Sequence, residues 1–211
     1  MAIIPTINCE NFECVKEKIS QAAKFSQWVQ IDIADGKFTK HKTWNNPNEF
    51  SIFNFQFSIP NLEIHLMTIN PLKQINTWAK AGAKRIIIHI EALKDYKIDK
   101  LKNCEIGLVI NPETPIEKII PFLENNKIKL IQTLAVNPGK SGQKFQKKTL
   151  DKIKFLKRKY PNIKIEVDGG INQKTAKLCQ KAGADILAVG SYIWKSNNPQ
   201  QSYEKISKSF S

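Results

Sequence analysis

Residues 80–90 read KAGAKRIIIHI, and this junction decides the fold: Gly82 closes an amphipathic segment and an apolar, β-branched run follows within a few residues. Glycine belongs where a helix must stop, because it accepts the left-handed conformation of a C-terminal cap at no steric cost. The same sequence of events returns at 181–190, KAGADILAVG, with Gly183 ahead of the run DILAVG. Two matching helix exits, each feeding a strand, mark a repeating helix-to-strand unit.

Working outward, strand-like runs recur at 2–7 (AIIPTI), 28–33 (WVQIDI), 62–67 (LEIHLM), 85–90, 105–110 (EIGLVI), 129–136 (KLIQTLAV), 163–168 (IKIEVD) and 185–190. Between them, 11–24, 70–82, 114–126, 147–159 and 172–182 carry apolar residues at i, i+3 and i+4 among lysines and glutamates, the helical period. Alternating strands and helices imply a parallel sheet, since parallel neighbours need a crossover, and continuous apolar strands imply burial on both faces. About eight such units in slightly over 200 residues fit a compact (β/α)8 TIM barrel. A doubly wound open sheet is the alternative, but no GxGxxG or GxxxxGK[ST] phosphate fingerprint follows any strand.

The 211 residues, 41% hydrophobic and 25% charged, suffice for one sizeable core, so a single domain over 1–211 is expected. No run of about 18 apolar residues appears and the start, MAIIPTINCENF, lacks a signal-peptide pattern, so a soluble cytoplasmic protein is expected, without a membrane partner. Cys9, Cys14, Cys104 and Cys179 form no CxxC pair and are expected to be buried thiols. The formal charge of +14, from 33 Lys and Arg against 19 Asp and Glu, is spread along the chain. It favours anionic partners, but no nucleic-acid motif accompanies it, so no specific nucleic acid is expected.

In a barrel the active site lies at the C-terminal ends of the strands. The polar residues there are Thr6, Gln30, Asp32 with Asp35, His65, His89 with Glu91, Asn111, Asn137, Asp168, and Gly190 with Ser191. Any one of them can be a helix cap or a buttress; a ring of them suggests chemistry. Three glycine-bearing turns, NPGKSGQ (137–143), DGG (168–170) and GS (190–191), follow the last three strands. Glycines let backbone N–H groups approach an anion closely, and the late loops of barrels often hold phosphate. Gly139, Ser141, Gly142, Gly169, Gly170, Gly190 and Ser191 are therefore candidate phosphate-binding residues.

PTINCENF, DIADGKF, IHLM, HIEA, GLVINPETP, VNPGKSGQKF, EVDGGIN and VGSYI together resemble the ribulose-phosphate 3-epimerase family over nearly the whole chain. The resemblance implies a (β/α)8 barrel that interconverts ribulose 5-phosphate and xylulose 5-phosphate, a phosphorylated ketose as substrate, and a homo-oligomer. It implies that Asp32 and Asp168 act on opposite faces of the substrate carbon, one removing a proton and the other delivering one. Such a pair needs unlike surroundings, so that one carboxylate is ionised while the other is protonated. A divalent metal (zinc, iron(II), manganese or cobalt) is implied as cofactor, stabilising an enediolate as a Lewis acid. Its ligands by resemblance are Asp32, His65 and Asp168, with Gln30 where the family has a histidine. An amide oxygen is a weaker ligand than imidazole for such ions, although three ligands still match a catalytic zinc site.

Other departures fall at the same end of the barrel. Thr6 stands for a family serine near the substrate and keeps the hydroxyl; Met67 is retained; Ala34 and Leu134 replace family methionines and would reshape the pocket wall. Lys140 and Ser141 alter the phosphate loop, and the added positive charge suits phosphate. His41, in KFTKHKTW (37–44), takes the place of a common asparagine and is expected to be an exposed polar residue of its loop, with reach toward the site as the alternative. His89 and Glu91 are read as buttressing His65, and Asp35 as structural in its turn. These changes leave open another ketose phosphate as substrate, or a non-catalytic sugar-phosphate or nucleic-acid binding role, because fold alone does not decide function.

Overall fold

The computed structural model describes residues 1–56, 60–95, 98, 101–125 and 128–210. Eight parallel strands, β1 (Ala2–Ile7), β2 (Trp28–Ala34), β3 (Asn61–Met67), β4 (Ala83–His89), β5 (Glu105–Ile110), β6 (Leu130–Leu134), β7 (Lys164–Asp168) and β8 (Ile186–Val189), follow in chain order round a closed barrel. Closure is made by β1 against β8, where Ala2 to Pro5 pair with Ile186 to Val189. The helices are α1 (Phe12–Ala22), α2 (Pro47–Gln56), α3 (Leu72–Lys80), α4 (Ile120–Asn125), α5 (Thr149–Lys159), α6 (Gln173–Ala182), α7 (Ser191–Trp194) and α8 (Pro199–Ser207). This is the (β/α)8 architecture expected from the alternation.

The local signals account for these elements. Asn11 caps α1 by accepting from Cys14 N, and Asn172 caps α6 in a reciprocal box with Thr175. Gly183, at φ 102°, closes α6 as the KAG motif predicts. Segment 114–126 is less regular than its period suggests: a 3-10 turn at Ile116–Ile119 precedes the six residues of α4. Helix α2, PNEFSIFNFQ, has apolar residues all round and therefore shows no helical period in the sequence.

Strand side chains alternate, and the alternation divides the core in two. Ile3, Ile7, Val29, Ile31, Ile33, Ile64, Ile86 and Ile88 point outward into the main core beneath the helices. Ile4, Ile87, Val109, Leu130, Leu134 and Ile186 form a separate plug inside the barrel. Gly107 makes room for it, since a Cβ there would meet Ile87 Cγ2 at 2.8 Å and Leu130 Cδ2 at 2.9 Å.

The cysteines correct one expectation. Cys104 and Cys179 are buried free thiols, raised by burial to about 11 and about 12 respectively, but Cys9 and Cys14 form a disulfide. The N-cap at Asn11 turns the chain so that the two Cα atoms lie 6.0 Å apart, within bridging range. Among the described residues, no helix is long and apolar enough to cross a membrane.

Candidate active site

The inward-facing register of the strands builds the site. On β2, Trp28, Gln30, Asp32 and Ala34 share the inner face; β3 supplies Glu63 and His65, β4 Arg85 and His89, β6 Gln132, and β7 Glu166 and Asp168. Asp32 pairs in register with His65, and Asp168 at the end of β7 comes close to both, so the two carboxylates and the imidazole arrive at one level.

At that level His65 Nδ1 lies 3.1 Å from Asp32 Oδ1 and 3.9 Å from Asp168 Oδ2. One ligand atom from each of Asp32, His65 and Asp168 falls within 4.8 Å of the others. Two carboxylates and an imidazole at this spacing fit a divalent transition metal such as zinc, with room left for substrate or water. Behind His65 a relay runs outward: His65 Nε2 is 2.9 Å from His89 Nε2, and His89 Nδ1 is 3.3 Å from Glu91 Oε2. Glu91 in turn accepts from Asn111 N and the Thr114 hydroxyl.

Burial pushes His89 down to about 4, so it is neutral; with its Nδ1–H on Glu91, its Nε2 accepts from His65. Burial also works against a charged His65, but the hydrogen bond and charge of Asp32 outweigh it and raise the pKa above the usual value. Asp168 is raised to about 7, first by burial and then by the Asp32 charge beside it. Glu91 is held below the usual carboxylate range, since contacts with His89 and Thr114 outweigh its burial.

Gln30 takes a different posture from the one its position suggests. It is fully buried, and its Nε2 donates to Asp32 Oδ1 at 2.8 Å and to Asp168 Oδ2 at 3.2 Å. Its oxygen faces away, accepting from Gln132 Nε2 at 2.9 Å. An N–H donor cannot ligate a cation, so in this orientation Gln30 stands outside the ligand set. Below it lies a charged layer: Arg85 Nη1 contacts Glu63 Oε2 at 2.6 Å and Glu166 Oε2 at 3.7 Å, Arg85 Nε contacts Glu105 at 3.2 Å, and the guanidinium stacks over Trp28.

The glycine turns close the other side of a cavity, which Thr6, Asp32, His65, Met67, Leu134 and Asp168 also line. Gly139, Ser141, Gly142, Gly169, Gly170, Gly190 and Ser191 all border it; Gln30 does not. Gly139, Gly142, Gly169 and Gly170 have positive φ. A Cβ on Gly170 would stand 2.5 Å from the Phe145 backbone nitrogen, and one on Gly190 2.7 Å from Thr6 Oγ1, so the turns interlock. Asp35 lies off the cavity and accepts from the backbone N–H groups of Lys37, Phe38 and Ile69, which holds its carboxyl below the usual range despite partial burial.

Asn8 is a contributor that its motif, PTINCENF, does not single out. Asn8 Nδ2 donates to Asp32 Oδ2 at 3.1 Å and to the Gly139 carbonyl at 2.9 Å, and His41 Nε2 meets Asn8 Oδ1 at 2.9 Å. His41 thus reaches Asp32 through Asn8. Gln132 belongs to the same category, its only signal being that it shares the inward face with Leu134.

Comparison with known proteins follows the same lines. Residues 2–194 match the Ribulose-phosphate 3 epimerase family. A ribulose-phosphate 3-epimerase of Chlamydia pneumoniae is 35% identical over 92% of this chain and 88% of its own, and that of Bacillus subtilis is 32% identical over 97% of each. The Schizosaccharomyces pombe enzyme is 30% identical over 94% and 89%. Among solved structures, a 3-hexulose-6-phosphate synthase superposes with a TM-score of 0.74 over 99% of both chains, at 14% identity, which speaks for the fold alone.

Proposed function

Because the chain belongs to the ribulose-phosphate 3-epimerase family and is an enzyme, we propose that it interconverts D-ribulose 5-phosphate and D-xylulose 5-phosphate by proton transfer between two carboxylates. The observation that carries this reading is that Asp32 and Asp168 both line one cavity, in unlike surroundings. Asp32 is wrapped by donors from Asn8, Gln30 and His65, while Asp168, raised to about 7, holds a proton below neutrality. A pair with one proton between them is what inversion at carbon requires.

In the reaction, one carboxylate removes the proton from C3, leaving an enediolate, and the other delivers its proton to the opposite face. The proton count of the enzyme is unchanged, so the pair is reset by exchanging the proton before the next turnover. Asp32, His65 and Asp168 are the residues that would hold a divalent cation, whose chemistry there is Lewis-acid neutralisation of the enediolate charge. His89 and Glu91 orient His65, and the three glycine turns, with Ser141, Ser191 and Lys140, grip the phosphate. Thr6 and Met67 border the sugar.

A second reading, another ketose phosphate, is favoured by Ala34 and Leu134, which lack the flexible thioether chain at the methionine positions of the family. A coupled assay over a panel of ketose phosphates, with and without added zinc, manganese, iron(II) or cobalt, tests both. Ribulose 5-phosphate turned over fastest, with activity at least about 10³-fold lower in Asp32→Asn and Asp168→Asn, is the expected result. Preference for a different sugar would replace the substrate, and full activity in either Asn variant would end the two-carboxylate mechanism.

A further inference from the structure

Gln30 and Gln132 form a continuous amide column up the inside of the barrel. Gln132 is fully buried, and both hydrogens of its Nε2 are used: one goes to Glu166 Oε1 at 2.8 Å, the other to Gln30 Oε1 at 2.9 Å. Gln30 is thereby committed to accept from below, so its own Nε2 faces up and donates to Asp32 and Asp168. The column runs between acceptors, the Asp32 and Asp168 oxygens above and Glu166 Oε1 below, the latter on a carboxyl that also faces Arg85. Turning Gln132 over would set its oxygen against Gln30 Oε1 and Glu166 Oε1. The present orientation is kept although it leaves Gln132 Oε1 buried without a partner.

We propose that Gln132 is a positioning residue for the two carboxylates: acting through Gln30, it presents an amide N–H pair to Asp32 and Asp168 where a ligand atom would otherwise stand. Gln30 then clamps the carboxylates, and a divalent cation is left to Asp32, His65 and Asp168. The assignment rests on the proposed reaction only in taking those two carboxylates as the proton carriers. A histidine at position 30 would meet the same donor from below; Gln132 would occupy one ring nitrogen's lone pair and turn the other, as N–H, toward the carboxylates. Restoring a ligand at position 30 therefore requires changing position 132 as well.

The test is cobalt(II) binding to the metal-stripped full chain, read by visible absorption and calorimetry, for wild type, Gln30→His, Gln132→Leu and the double variant. Gln132→Met, nearer in shape to glutamine, runs beside the leucine variant in case that one fails to fold. The expected result is that Gln30→His alone tightens binding by no more than about threefold, while the double variant gains about tenfold beyond the product of the single effects and changes the cobalt spectrum. A merely structural Gln132 would alter thermal stability and leave the coupling near unity. The full gain in Gln30→His alone, or no cobalt bound by any of the proteins, would overturn the assignment. Because binding needs no turnover, an inactive enzyme with the coupling intact would count against the reaction and leave Gln132's role standing.

Discussion

Asn8, just past the end of β1, meets Asp32 on β2, the amide nitrogen of one 3.1 Å from Oδ2 of the other, and His41 holds Asn8 in that pose from 2.9 Å away. Since both acceptors of the Asn8 N–H2 group are accounted for by Asp32 and the Gly139 carbonyl, its oxygen must accept, and His41 Nε2 must carry a proton. A hydrogen bond to a charged group contributes about 1.5–3 kcal/mol. Asn8→Leu is expected to lower kcat/KM about 10- to 100-fold with an almost unchanged melting temperature. His41→Ala should show a smaller loss, which His41→Gln recovers in large part. Steady-state kinetics beside thermal melts decide this, and wild-type turnover in Asn8→Leu would remove Asn8 from the mechanism.

Asp168 gives the metal-free protein a pH signature. Its folded pKa, raised to about 7, lies above the ordinary carboxylate value, so the folded state binds the proton more tightly than the unfolded chain. The associated stability is complete below pH about 4 and is lost as pH rises through about 7. Over that window, urea unfolding in chelator should show stability falling by about 1–4 kcal/mol. His65, also raised, loses its contribution in the same direction but from a higher starting pH. In Asp168→Asn the decline between pH 4 and 7 should flatten; an equal slope in variant and wild type would place the proton elsewhere.

Gly170 tests the phosphate grip. At φ 66° with the Phe145 backbone nitrogen 2.5 Å from any added Cβ, alanine fits neither the conformation nor the space. Strain of this kind costs about 1–3 kcal/mol, or roughly 2–10 °C in melting temperature for a chain of this size. The KM for the sugar phosphate in Gly170→Ala should rise at least about tenfold, with a smaller effect on kcat. An unchanged KM would show that this turn does not touch the phosphate.

Arg85 supports the floor of the site. Removing it strands Glu63 and Glu166, both fully buried and raised in pKa by that burial. Arg85→Met should destabilise by about 3–5 kcal/mol, measured by denaturant unfolding. Adding Glu63→Gln or Glu166→Gln should return part of that stability by removing a stranded charge. A stable Arg85→Met protein would mean that the two glutamates share a proton well enough without the cation.

The barrel was legible because its period is simple. Apolar runs between KAG exits and helical stretches needed no further information, and Asp32, His65 and Asp168 stood out as polar residues ending such runs. The aromatic-rich α2 was not legible, since its apolar residues lie all round the helix, the exposed Ile52 among them, and erase the helical period. Nor were Glu63, Arg85, Gln132 and Glu166, which read along the chain as ordinary polar residues; only their parity with Asp32, His65 and Asp168 places them underneath. Gln30 was visible as a site residue, but the direction of its amide depends on Gln132, about a hundred positions away. The Cys9–Cys14 pair depends on the turn at Asn11, a detail of capping that spacing does not disclose.

The two-sided division of the strands gives the molecule an addressing scheme for change. On β2, positions 28, 30, 32 and 34 face the barrel interior while 29, 31 and 33 seat the helices. Neighbouring residues therefore answer to separate selective pressures. A lineage, or an engineer, can rewrite every second residue to admit a new sugar while the alternate residues keep the scaffold melting where it did before. Ala34 and Leu134 occupy inward positions of this kind, which makes them the natural first sites for a library aimed at substrate choice.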